Sequence, residues 1–190
     1  MLVPVKAFRA AKVRLAAALD ADQRAQLARS MGARVVAAAA PLPVAVVCDD
    51  EEVRAWAADV GAHTLWHPGK GLNGAVEAGV ADLASAGFDQ VVVAHADLPL
   101  ATELAWLASY DGITLVPDRH GDGTNAACVP ARARFRFAYG PGSSVLHAAE
   151  ARRLGLGLRL VHDQSLAWDV DLPADLDYHH LEGAPLDRPA

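Results

Sequence analysis

Gln90-Val91-Val92-Val93-Ala94-His95-Ala96-Asp97-Leu98-Pro99 is the stretch that decides the fold. Three consecutive valines between small or uncharged neighbours predict a strand buried on both faces, the kind found in parallel sheets covered by helices. The run ends on an aspartate followed by Leu98-Pro99, which break the strand. A carboxylate just past a buried strand is costly to hold unless it is paired, hydrogen-bonded or bound to a metal. Asp97 is therefore a candidate oxygen ligand for Mg²⁺, with a turn or helix-cap carboxylate as the alternative. His95 reads first as a packed or hydrogen-bonded histidine rather than a base.

Working outward, short apolar runs alternate with helical patterns. Leu2-Val3-Pro4-Val5 predicts a first strand, and Asp20 with Gln23 three residues later predicts a capped helix over about 21–39, packed through Leu27, Met31 and Val35. Strands are expected at Val44–Cys48, Thr64–Trp66, Ile113–Val116, Asn125–Val129 and Leu158–Val161. Helices are expected over Glu51–Val60, Leu72–Ala84, Thr102–Leu107 and Val145–Leu154, with Asp175 capping a terminal helix. This alternation predicts a single layered α/β domain with a mixed, mainly parallel sheet. Ligands of such sheets bind beyond the carboxyl ends of the strands, and most polar clusters of the chain fall at those ends.

The 190 residues suffice for one domain with a sizeable core, and 53% of them are hydrophobic, which excludes disorder as the default. A net charge of −6 argues against broad nucleic-acid or anionic-membrane binding. Cys48 and Cys128 are too few for a disulfide framework and suit a reducing cytoplasm. The start lacks a basic segment before an apolar helix-like stretch, so no secretory signal is expected there; the alanine-rich 34–45 run is too short to span a bilayer, and 182–190 reads as a loose tail. His179-His180 reads as exposed rather than zinc-bound.

Four groups of residues carry possible chemistry. Lys6, Lys12 and Arg14 follow the first strand and are suited to phosphates, although solvated surface charge is the competing reading and neither GxxxxGK[ST] nor GxGxxG is present. Asp169 and Asp171 flank Val170; two apart in an extended segment, they face one side and demand a cation. With Asp97 they would form an oxygen-only Mg²⁺ site, a local turn being the alternative. Gly140-Pro141-Gly142-Ser143-Ser144 precedes a helix and could receive an anion or simply cap it, while Asn73, in Gly71-Leu72-Asn73-Gly74, could read a base or cap a helix. Finally, the loop Pro117–Asn125 packs Asp118, Arg119, His120, Asp122 and Thr124 into nine residues and reads as a place where something charged is held.

Taken in order, VPVKAFRAAKVRLA (3–16), GLNGA (71–75), HADLPL (95–100), PDRHGDGTN (117–125), FAYGPGSS (137–144) and WDVDLPADL (168–176) make the chain resemble the 2-phospho-L-lactate guanylyltransferase family. The bacterial phosphoenolpyruvate guanylyltransferases of coenzyme F420 biosynthesis are the most similar branch. The ordered set is specific although each piece is short, and it covers nearly the whole chain.

The resemblance implies a single-domain, three-layer nucleotidyltransferase fold over 1–181, Rossmann-like and similar to nucleotide-diphospho-sugar transferases. It implies GMP transfer from GTP to phosphoenolpyruvate, giving enolpyruvyl-2-diphospho-5'-guanosine and pyrophosphate. Alternatives are 2-phospho-L-lactate or 3-phosphoglycerate as acceptor, another nucleoside triphosphate, or a non-catalytic GTP-binding protein. Asp97, Asp169 and Asp171 match the family's metal aspartates; Asp97, Lys12 and Arg14 are the implied catalytic residues. Lys6, Lys12, Arg14 and Asn73 fall in nucleotide-pocket segments. Thr124, Gly140 and Ser143 match acceptor contacts, which makes the Pro117–Asn125 loop an acceptor-side wall and demotes Asp118 and Asp122. The implied partners are GTP, a phosphorylated three-carbon acid and a downstream transferase of the deazaflavin coenzyme, with a homodimer as the alternative to a single chain. The segment Ala126-Ala127-Cys128 departs from the bulkier aliphatic run expected there.

Overall fold

The computed structural model describes residues 1–178. The expected tail 182–190 and His179-His180 lie outside the described residues. Seven strands form one sheet in the order β3-β2-β1-β4-β6-β5-β7. They are β1 Leu2–Pro4, β2 Ala45–Cys48, β3 His63–Trp66, β4 Gln90–Ala94, β5 Ile113–Pro117, β6 Thr124–Pro130 and β7 Leu158–Leu160. Only β6 runs antiparallel to its neighbours, so the sheet is mixed and mainly parallel, as expected.

Among the described residues five α-helices accompany the sheet: α1 Ala21–Ala37, α2 Glu51–Asp59, α3 Gly71–Ser85, α4 Ser143–Arg153 and α5 Gln164–Ala167. Side-chain alternation along the strands divides the core. Val46, Val92, Ala94, Ala126 and Cys128 pack with α1, α2 and Leu166 of α5. Val47, Val91, Val93, Ala127 and Val129 pack with α3 and α4 on the opposite face. The three layers follow from this period of two: each strand is apolar on both sides and needs a helix layer over each. Gly79 lets α3 approach the sheet, since a Cβ there would stand 2.9 Å from a buried Leu2 methyl.

Several local expectations hold. The reciprocal box at α1 is present: the Asp20 carboxylate accepts from Gln23 N–H and the Gln23 side chain accepts from Asp20 N–H, each at 2.9 Å. Two do not. The segment expected as a helix over 102–107 is a 3₁₀ turn at Ala105–Ser109, because Leu104 N–H is taken by Ala38 O at 2.8 Å and Leu104 and Leu107 are both pulled into the core. Asp175 caps a 3₁₀ turn rather than an α-helix among the described residues. It lies within the 3₁₀ turn Pro173–Leu176, and its carboxylate reaches back to the Asp171 and Leu172 amides.

Two irregularities position the site. Val116 pairs with Ala126 while Pro117 pairs with Thr124, so Asn125 is an extra residue in β6, a β-bulge. Thr124 consequently turns toward α4, whereas Asn125 turns toward α5, its amide donating to Leu166 O at 3.0 Å. The second is a small separate core of Leu15, Met31 and Val170, backed by Leu19, Leu27, Trp168 and Leu176. It anchors the late segment 168–176 beneath the 3₁₀ turn Val13–Leu15.

Candidate active site

The strand order reverses at β1 and β4, which are neighbours although β2 and β3 lie on one side of β1 and the remaining strands on the other. Loops leaving such a pair diverge and leave a crevice. A cavity of about 710 Å³ opens there, lined by Lys6, Lys12 and Arg14 after β1, Asp49 after β2, His67 after β3, Gly71 and Leu72 at the start of α3, and His95 and Asp97 after β4. That volume is within the range of small-ligand sites.

Lys12 is the centre of the charge arrangement. Its ammonium lies 2.5 Å from Asp97 Oδ2 and 2.9 Å from Asp171 Oδ1, and Arg14 adds a contact of 3.5 Å to Asp171 Oδ2. Val170 N–H donates to Asp97 O at 3.2 Å, tying the late segment to the end of β4. Val170 itself is fully buried, so its neighbours Asp169 and Asp171 are left to the polar side. Lys12 has a φ of 54°, a left-handed conformation uncommon for a side-chain-bearing residue. Such strain persists where surrounding structure over-determines it, here through two carboxylates gripping one ammonium.

The electrostatics follow from burial and these pairs. Burial alone opposes the charge of Lys12, but Asp97 and Asp171 more than offset it and hold its pKa above the ordinary lysine value. Burial likewise opposes ionisation of Asp97, and the Lys12 charge and hydrogen bond bring it below the usual carboxylate range. Burial, then the charges of Asp97 and Asp171, push Asp169 upward. Asp169 is held separately, by Arg119 at 3.7 Å and the Asn125 amide at 3.5 Å.

Asp97 Oδ1 is buried and without a hydrogen-bond partner, an acceptor that costs free energy until something meets it. Asp97, with its orphaned oxygen, and Asp171 share the cavity wall, and Asp169 resists ionisation through burial and then through their charges; such carboxylates are donors suited to a hard divalent cation. Among the described residues no three His, Cys, Asp or Glu side chains are already gathered as a metal cage. Lys12 occupies the position between Asp97 and Asp171.

The other expected residues divide into two groups. Asn73 does not line the cavity; its side-chain oxygen accepts from Tyr139 N–H at 2.8 Å and its amide approaches Tyr139 O at 3.5 Å. It thereby clamps the segment leading to α4. Thr124, Gly140 and Ser143 also lie outside the cavity wall and form a second cluster around that helix start. Gly140 and Gly142 take positive φ values of 135° and 73°, permitting the turn into α4. Thr124 and Ser143 are buried, their hydroxyl oxygens 3.3 Å apart. Asp118 and Asp122, prominent in the loop, are committed to backbone amides: Asp118 accepts from His120, Asp122 and Gly123, and Asp122 from Gly142.

Three contributors carry no assigned role in the sequence reading, although Arg119 and Asn125 belong to the charged loop named there. Arg119 donates to Asp169 O at 3.0 Å, pairs with the Asp175 carboxylate and stacks over Trp168 at 4.3 Å. Asn125 joins β6 to Asp169. His147 is fully buried and joins Thr124 to Ala138. The available signal for His147 was its spacing, one helical turn after Ser143 and on the same face.

Burial, with a lesser push from His95, lowers the His147 pKa to about 4. It is neutral in the folded protein and protonates in the unfolded chain near its ordinary value of about 6.5. Stability linked to it is therefore complete above about pH 6.5 and lost as pH falls toward 4, by roughly 3 kcal/mol. Urea melts at pH 7 and pH 4.5 should show that decline in wild type and a shallower one in His147→Asn. Parallel declines would remove His147 as the cause.

A Rossmann-like sheet with phosphate-suited cations and carboxylates at its switch point is the arrangement of a nucleotide-handling transferase fold. Solved structures share the fold: one from Desulfovibrio desulfuricans G20, assigned as a nucleotide-diphospho-sugar transferase, aligns with a TM-score of 0.74 at 19% identity over 96% of this chain and 87% of that one. A 4-diphosphocytidyl-2C-methyl-D-erythritol synthase aligns with a TM-score of 0.63 at 14% identity over 95% of each chain.

Residues 1–185 match the model of the family described as "Guanylyl transferase CofC like", and the chain belongs to that family. Phosphoenolpyruvate guanylyltransferase of Sphaerobacter thermophilus is 40% identical over 93% of this chain and 89% of its own length. The enzyme of that name from Rubrobacter xylanophilus is 36% identical over 99% and 96%. The chain is a nucleotidyltransferase enzyme. Among the described residues no helix is long and apolar enough to cross a membrane.

Proposed function

We propose that the enzyme transfers GMP from GTP to phosphoenolpyruvate, yielding enolpyruvyl-2-diphospho-5'-guanosine and pyrophosphate for coenzyme F420 biosynthesis. The observation that carries this is the Lys12 ammonium held between Asp97 and Asp171 in the wall of the switch-point cavity. It brings a cation and carboxylates to one point, as transfer between two polyanions requires, and the family's relatives named as phosphoenolpyruvate guanylyltransferases supply the substrates.

No protein nucleophile is needed. An oxygen of the acceptor phosphate attacks the α-phosphorus of GTP, the new P–O bond forms, and the bond to the β-phosphate breaks with its electrons leaving on pyrophosphate. The acceptor phosphate arrives deprotonated, so no general base is required. Lys6, Lys12 and Arg14 hold the triphosphate and offset charge on the leaving group. Thr124, Gly140 and Ser143 hold the acceptor's anionic groups. Asp97, Asp169 and Asp171 would hold Mg²⁺, which neutralises phosphate oxygens and aligns the two substrates. The product would pass to the downstream transferase that builds the deazaflavin coenzyme.

A matrix of four nucleoside triphosphates against phosphoenolpyruvate, 2-phospho-L-lactate and 3-phosphoglycerate, with Mg²⁺ and mass-resolved products, tests the reading. The expected dominant product is guanylylated phosphoenolpyruvate. A dominant product from another acid or another base would overturn the substrate assignment. GTP binding with no pyrophosphate released in any well would defeat catalysis.

A further inference from the structure

We infer that His147 is a positioning residue that locks the Thr124–Ser143 hydroxyl pair as a net hydrogen-bond donor toward an anionic oxygen of the acceptor. This rests on the acceptor site proposed above, and it adds to that site a residue one helical turn removed from it.

The reasoning is a count of protons. Ala138 N–H donates to His147 Nε2 at 2.9 Å, so Nε2 must be the unprotonated nitrogen. The imidazole proton is therefore on Nδ1, which lies 3.0 Å from Thr124 Oγ1 and donates to it. The Thr124–Ser143 contact consumes one of the two hydroxyl protons, whichever oxygen donates. The other hydroxyl proton has no protein acceptor in this cluster and remains for a ligand.

The opposite tautomer would reverse this outcome. Nδ1 would then accept the Thr124 proton, Ser143 would donate to Thr124, and no hydroxyl proton would remain. Nε2–H would also face the Ala138 N–H, donor against donor. A single backbone amide thus sets the polarity of a hydroxyl pair two contacts away.

The surroundings make the arrangement rigid and connect it to the cleft. His147 is fully buried among Phe135, Phe137 and Tyr139, with ring centroids 5.5, 6.0 and 4.9 Å away. Tyr139 also packs 4.7 Å from His95, which lines the switch-point cavity. Both Tyr139 Oη and His95 Nε2 are buried without partners. The contacts from Thr124 through His147 and Tyr139 thus reach His95 on the cleft wall, with unspent polar atoms along the way, the condition in which a ligand's oxygen atoms complete the set. Burial keeps the imidazole neutral through the physiological range, so Nε2 stays free to accept.

The test separates the two nitrogens. An asparagine amide can take the place of Nδ1 and a glutamine amide the place of Nε2. His147→Asn should keep the acceptor KM within about threefold, whereas His147→Gln should raise it about tenfold with the GTP KM unchanged. If His147 merely supports the Ala138 peptide, the order reverses; reversal or equal losses would overturn the inference. Thr124→Val serves as the reference. If it leaves the acceptor KM unchanged, the acceptor site itself is misplaced; if it raises KM while both His147 variants match wild type, only the role of His147 fails. Independently of any variant folding, ¹⁵N imidazole shifts of the wild-type protein should show His147 protonated on Nδ1, and an Nε2–H tautomer would sink the proposal.

Discussion

Asp97→Asn should give a folded protein whose transfer rate is lower by about a hundredfold or more. Asparagine preserves the volume of the side chain at the end of β4 and removes the charge. Lys12 retains Asp171 as a partner at 2.9 Å, so the local structure keeps one of its two ion pairs. What disappears is the carboxylate whose Oδ1 is buried and partnerless, the group with most to gain from a metal or a bound substrate complex. Steady-state rates at saturating Mg²⁺, alongside a thermal melt, would decide the matter. Near-normal turnover in a folded sample would remove Asp97 from the reaction.

Lys12→Met should be costly in a different way. The ammonium and Asp97 are largely withdrawn from water, and breaking such a pair from one side leaves a charge with no compensation. A loss of about 3 kcal/mol is expected, near the low end for buried pairs because neither partner is wholly sealed. In a chain of this size that is roughly 6 to 12 °C in melting temperature. The melt should be run in chelator and again in Mg²⁺. With Lys12 gone, Asp97 and Asp171 lose their internal cation, so Mg²⁺ should recover more stability in the variant than in wild type. Identical melts of variant and wild type in chelator would show that the pair does not support the fold, and an absent Mg²⁺ response would separate the carboxylates from metal binding.

Much of the architecture was legible because it depends on short-range pattern. The valine run of β4, the capping box of Asp20 and Gln23 and the alternation of apolar segments each report on a few neighbouring residues. The ion pair of Lys12 and Asp97 spans 85 positions, and the contact of Arg119 with Asp175 spans 56. The sequence offers the charges but not their pairing, which is why Lys12 was readable as a phosphate ligand and not as the cation between two carboxylates. Arg119 was visible only as one more charge in a loop, since its partners arrive from the far end of the chain. Asp175 reads in the sequence as a helix cap; in the fold the element is a short 3₁₀ turn, and the carboxylate braces the segment that carries Asp171. The bulge at Asn125 leaves no mark in composition, so strict alternation assigns Thr124 to the wrong side of the sheet.

That bulge has a consequence for how the family can diversify. Because Thr124 and Asn125 answer to opposite layers, the chain can rebuild the helix beside one without disturbing the carboxylates served by the other. If α4 carries the acceptor contacts proposed above, a change of acceptor could be built there as one module while the carboxylate cluster stays as it is. Deleting a single residue from β6 would fuse the two modules by restoring the regular ladder, and should cost both substrates at once.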